Sequence, residues 1–211
     1  MMTNMHCLDP DVFGADRSWW LMHVAMLTLQ PNKVLLRHIH HIKSQLHFRK
    51  PIVGVHMRGT DKHLEAERLR IDTYTDLAVQ MMQQLGCENL FVATDDISWS
   101  REVILQALEV SSRRHGFNKK IHMVMQDNSR ANGPTWDQAL TVGLTEFGRN
   151  AVADTLLLAD CDGWVGTKSS LFSEVSLLLG IGFHDRRMYV AADEPKFSYD
   201  WAPTAFRHRR V

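Results

Sequence analysis

The run from Pro51 to Lys62, PIVGVHMRGTDK, constrains this chain more than any other stretch. A short apolar segment, Ile52, Val53, Gly54 and Val55, gives way abruptly to His56, Arg58, Asp61 and Lys62. A buried parallel strand reads this way where its C-terminal end delivers polar groups into a crevice. In open α/β sheets ligands bind at that end of the strands. A lone strand running into a solvated, charged turn has the same pattern, so the rest of the chain has to decide between the two.

It decides by repetition. Tyr74, Leu77, Ala78 and Met81 recur at helical spacing, with Asp72 as the expected N-cap and Gly86 as the residue that ends the helix. The apolar run Leu90 to Ala93 is the next strand, and it stops on Thr94, Asp95 and Asp96. A helix is predicted over 98–114, then a Gly116 turn, then a strand over 121–125 followed directly by Asp127 and Asn128. Asn132, Gly133 and Pro134 mark a loop. A further helix is expected from about Asp137 to Ala159, broken near Gly143 and Gly148. A short strand over 163–167 follows, and Ser169 opens an apolar helix that Gly180 and Gly182 should end. A last strand is expected over 188–192.

Strand and helix thus alternate throughout, which predicts a Rossmann-like α/β fold, a parallel sheet with helices on both faces. Residues 1–50 read as a helical approach, with helical spacing in Trp19, Trp20, His23, Val24 and Leu27 and a second helix from Asn32 to Leu46. Val34, Leu35, Ile39, Ile42 and Leu46 form its expected apolar face. The layered domain spans 51–195, and 196–211 read as an irregular tail.

Composition removes several classes of function. The 211 residues are 45% hydrophobic, with 24 basic and 24 acidic side chains, so no global field would draw the protein to nucleic acid or an anionic membrane. Any anion site must be built locally. Cys7, Cys87 and Cys161 lack metal-site spacing. His38 and His41 stand three apart on one helix side, but no third ligand with suitable spacing follows, so no metal site is expected. No apolar run approaches the ~20 residues of a membrane span. GxGxxG, GxxxxGK[ST] and GxSxG are all missing, which leaves dinucleotide, P-loop and α/β-hydrolase chemistry unsupported.

What remains is a set of polar clusters that a parallel sheet brings to one edge: 56–62, Asp95 with Asp96, Asp127 with Asn128, and Thr167 to Ser170. Arg58 offers a planar fork that matches two phosphate oxygens. Ser169 and Ser170 at a helix start would add hydroxyls and backbone N–H groups at the positive end of a helix dipole. Together they suggest a diphosphate held between a guanidinium and a helix tip.

HMRGTDK at 56–62, ATDD at 93–96, Arg149 five residues before Asp154, and TKSS at 167–170 resemble the GDP-fucose-binding half of the α-1,6-fucosyltransferases, over about Trp19 to Val190. The resemblance implies one half of a two-domain GT-B glycosyltransferase, the C-terminal donor-binding domain, with the N-terminal half lying outside this chain. It implies GDP-fucose as donor, a glycan or glycoprotein acceptor, inversion at the anomeric carbon and no metal cofactor. For a full-length eukaryotic parent it implies the Golgi lumen.

Residue by residue, the resemblance puts His56, Arg58 and Asp61 with Ser169 and Ser170 around the GDP diphosphate. Asp154 would accept from the guanine N1–H and 2-amino group. Asp95 and Asp96 would shape the pocket and order Arg58. Glu65 would be the general base, with Lys62 as its partner. The chain departs from the family at Gly59, where a second arginine is frequent, and lacks one residue between Lys62 and Glu65, which makes Glu67 an alternative base.

Overall fold

A computed structural model of the chain describes residues 24–25, 27–59, 68–96, 98–126, 143–167, 169–183, 187–193 and 198–201. The elements in order are α1 (Lys33–Gln45), β1 (Ile52–Met57), α2 (Ile71–Leu85), β2 (Asn89–Thr94), α3 (Arg101–His115), β3 (His122–Met125), α4 (Leu144–Asp160), β4 (Gly163–Gly166), α5 (Leu171–Phe183), β5 (Arg187–Ala191) and β6 (Ser198–Trp201). The strands form one sheet in the order β3-β2-β1-β4-β5-β6. The first five pair in parallel, and β6 pairs antiparallel with β5. The α/β sheet expected from the alternation is therefore present.

All six residues of β1 are buried, as a central strand covered on both faces requires. Val53, Val55 and Met57 point to one side, where they pack with Tyr74, Ala78, Val79 and Met82 of α2 and with Ile104 and Leu108 of α3. Ile52, Phe91 and Ala93 point to the other, against α1, α4 and α5. The chain thus winds outward from β1 through α2 and α3 on one face, then returns past β1 to β4 and continues through α4 and α5 on the other. The strand order reverses between β1 and β4, and that reversal opens a crevice at their carboxyl ends.

Several boundaries differ from the sequence expectation, each for a local reason. Arg70, not Asp72, is the N-cap of α2; Asp72 lies in the first turn, where it faces the helix dipole and accepts from the Arg70 guanidinium. The helix after β2 starts at Arg101 with Ser100 as its cap, because Ser98 is drawn into the turn on Asp96. Gly143 precedes α4 with φ of 94°, and Gly148 sits inside an unbroken helix. Gly180 and Gly182 do not end α5, which runs to Phe183. A Cβ on Gly180 would fall 3.1 Å from the Ala159 carbonyl, so the glycine lets α5 lie close on α4. Val34 is 61% exposed and lies off the apolar face of α1. The tail is not irregular throughout, since Ser198–Trp201 supplies the sixth strand and extends the sheet past residue 195. The expected first helix falls largely outside the described residues.

Candidate functional site

The crevice between β1 and β4 has two walls of different character. On the β4 side the groups that link the ends of β1 and β4 are neutral. His56 is 5% exposed; its Nδ1 lies 2.8 Å from the Ser173 hydroxyl and its ring stacks on Phe172 with centroids 4.5 Å apart. Ser173 also accepts from the Thr167 backbone N–H at 3.1 Å, so one hydroxyl of α5 ties the end of β1 to the end of β4. Burial, and then the charge of Arg58, pulls the His56 pKa down to about 3. The imidazole is therefore neutral at pH 7, with one nitrogen a donor and the other an acceptor.

At the start of α5, Ser170 donates its N–H to the Thr167 carbonyl at 3.1 Å and accepts from the Glu174 N–H at 3.0 Å. The hydroxyls of Thr167 and Ser170 are different. Both residues are 3% exposed, and among the described residues neither hydroxyl has a hydrogen-bond partner. Leaving a buried hydroxyl unsatisfied costs about 1–3 kcal/mol, so these two at a helix tip call for a partner. Neighbouring Ser169 donates its N–H to Asp193 at 3.0 Å. A carboxylate from the end of β5 thus already occupies one of the amides expected to serve an anion.

On the β2 side the groups are charged. Asp95 accepts from the Gly59 N–H at 2.9 Å. Asp96, largely buried, accepts from the Ser98 N–H at 2.8 Å and the Ser98 hydroxyl at 2.6 Å through one oxygen, and from the Arg68 guanidinium through the other. Arg68 in turn lies over the Trp99 ring, 5.0 Å from its centroid. A Cβ on Gly59 would fall 2.9 Å from the Asp96 Cβ and closer still to a carboxylate oxygen, so any side chain at residue 59 would displace Asp96. Buried Tyr74 has its phenol pushed well up by burial, and its proton also responds to Arg58, Asp193 and Asp95.

Asp154 lies further along the same edge. It is a buried residue of α4 and accepts from the Gln126 side-chain amide at 2.5 Å. Gln126 directly follows β3, one step past the Val92–Met125 pairing and so level with Ala93, which pairs with His56. Arg149, at the exposed start of α4, stays at the surface. Asp61, Lys62, Glu65 and Glu67, like Asp127 and Asn128, lie outside the described residues. Among the described residues no group of three His, Cys, Asp or Glu could hold a metal ion, and no helix is long and apolar enough to cross a membrane.

Sequence reasoning missed Ser173, Arg68, Asp193 and Gln126. Ser173 did leave a signal: a serine inside a strongly apolar helix turn, fully buried in the fold, needs a partner. The other three carry no sequence mark, because their roles depend on partners 24 to 28 residues away.

Residues 9–108 match the family model of the alpha-(1,6)-fucosyltransferase N- and catalytic domains. That match covers just under half of the chain and makes it similar, over those residues, to the fucosyltransferases. Among solved structures, the chain is similar to POFUT1 in complex with GDP-fucose (14% identity, 70% of this chain and 43% of that one, TM-score 0.46). It is also similar to NodZ alpha-1,6-fucosyltransferase soaked with GDP-fucose (18%, 81% and 48%, 0.47) and to fucosyltransferase NodZ from Bradyrhizobium (18%, 80% and 47%, 0.46). The chain spans less than half the length of each of these solved structures.

Proposed function

We propose that this chain is the donor-binding domain of a fucosyltransferase, holding GDP-fucose in the crevice between β1 and β4 for transfer to a glycan hydroxyl with inversion. The observation that supports this most is the pair of buried, unsatisfied hydroxyls of Thr167 and Ser170 at the tip of α5, across the crevice from Arg58. A diphosphate would satisfy both hydroxyls and take the Arg58 fork, and the same groups would stabilise the charge that develops on GDP as it leaves. Neutral His56 would add a hydrogen bond without repelling Arg58. Asp154, steadied by Gln126, would read the guanine edge.

Glu65, with Lys62 beside it, would remove the proton of the attacking hydroxyl, and Asp61 would complete the phosphate motif. No metal is needed in this scheme. The acceptor would be a glycan or glycoprotein, met largely by a second domain outside this chain, and a eukaryotic parent would work in the Golgi. A second reading is a nucleotide-sugar-binding domain without turnover, which Gly59, in place of a second arginine in the motif, favours.

Calorimetry with GDP and ADP, followed by donor hydrolysis and transfer assays on wild type and Glu65→Gln, tests both. The enzyme reading predicts GDP binding at least ~10-fold tighter than ADP, and a Glu65→Gln variant that binds donor but does not transfer it. GDP binding with no fucose released by the wild type would select the second reading. Equal affinity for ADP would remove both.

A further inference from the structure

We infer that Arg68, fixed on Asp96 just ahead of α2, is a second diphosphate-binding guanidinium of the crevice. This rests on the donor-site reading above and deepens it. Asp95 and Asp96 put two carboxylates beside the end of β1, and Asp193 puts a third on the Ser169 amide just before α5. Arg58 alone does not offset three carboxylates, and a diphosphate entering there would meet a net negative edge. Among the described residues, the cation fixed on one of these carboxylates is Arg68.

Its placement is built. The Asp96 oxygen that contacts Arg68 is also the atom nearest to where a Cβ on Gly59 would sit, so the guanidinium is held on the side of residue 59 that a side chain would occupy, next to Arg58 in the chain. Trp99 supports one face of the guanidinium, and Asp96 and the Ser98 hydroxyl, the latter at 3.0 Å, take hydrogen bonds from the single nitrogen Nη2. A guanidinium has five N–H donors, so Nε and Nη1 keep donors for phosphate oxygens. The side chain is 44% exposed, so those donors are reachable from solvent, whereas Asp96 is 9% exposed at its side chain and is held in place. Gly59 completes the arrangement, because any side chain there would displace the carboxylate that aims Arg68. Arg68 could instead be only a staple that fastens the loop to the turn after β2, and the two roles differ in what they do to phosphate.

Calorimetric titration of the full chain with GDP, GMP and guanosine, on wild type, Arg68→Met, Arg68→Lys and Arg58→Ala, separates them. The inference predicts that Arg68→Met weakens GDP at least ~10-fold, leaves guanosine within ~2-fold, and falls between for GMP. Arg68→Lys, which keeps the charge but not the fork, should recover part of the loss. If Arg68→Met leaves GDP affinity unchanged, or weakens GDP and guanosine by the same factor, Arg68 is a staple and the inference is overturned. Should Arg68→Met fail to fold by circular dichroism, the Lys variant decides alone: a GDP-selective loss supports the inference, and wild-type GDP affinity overturns it. Arg58→Ala tells the two levels apart. Loss of GDP binding there with no effect at Arg68 overturns only this inference, whereas intact GDP binding in Arg58→Ala overturns the donor site with it.

Discussion

The two walls of the crevice solve different problems. The β4 wall is neutral and closed: His56, Ser173, Thr167 and Gly166 are buried and joined by hydrogen bonds or close contact. The β2 wall is charged and partly open, with Arg68 nearly half exposed on a buried Asp96. A neutral, rigid wall can fix where backbone amides and hydroxyls point without paying to bury charge. A charged, open wall can attract an anion and still exchange it with solvent. The comparison suggests that the β4 wall sets geometry and the β2 wall sets affinity.

Substitutions at two glycines would break that comparison if it is wrong. A Cβ on Gly166 would fall 2.5 Å from Trp164 Cζ3 and 2.8 Å from the Ser173 hydroxyl, both in the fully buried wall. Gly166→Ala should therefore cost about 3 kcal/mol, the upper part of the overpacking range. Gly59→Ala would displace Asp96 together with the partly exposed Arg68, not a packed apolar interior, so about 1 kcal/mol is expected with a larger loss in GDP affinity. Urea unfolding of both variants gives the order, and a reversal would mean that the open wall is the rigid one.

A smaller effect sharpens the point through pH. The folded-state pKa of His56, about 3, lies below its ordinary value of 6.5. Below pH 6.5 the unfolded chain takes up a proton that the native chain refuses, so stability falls as pH drops from 6.5 toward 3 and is unaffected above 6.5. The slope attributable to His56 is about 1.4 kcal/mol per pH unit. Between pH 6 and 5, before most carboxylates titrate, His56→Gln should lose most of that slope. An unchanged slope would mean that His56 is not held neutral in the fold.

Much of the neutral wall was legible in the sequence, and little of the charged one. HMRGTDK announced the end of β1 because an apolar run stopped on polar residues, and TKSS announced a helix start because serines favour caps. ATDD named both carboxylates, but not that Asp95 would hold the Gly59 N–H while Asp96 held Arg68. Those pairings depend on how tightly two loops approach, and no local propensity encodes that distance. The helix boundaries slipped by two or three residues where a side chain had a better tertiary use, as Ser98 does on Asp96. The β6 strand was missed because Ser198 to Trp201 gains its order from pairing with β5 and not from its own pattern.

The most direct test is a crystal structure of the chain with GDP. Arg58 and the Ser170 hydroxyl should both lie within hydrogen-bond distance of diphosphate oxygens, with the guanine toward Asp154 and Gln126. A diphosphate seated away from the β1–β4 crevice, with the Thr167 and Ser170 hydroxyls still empty-handed, would contradict the account.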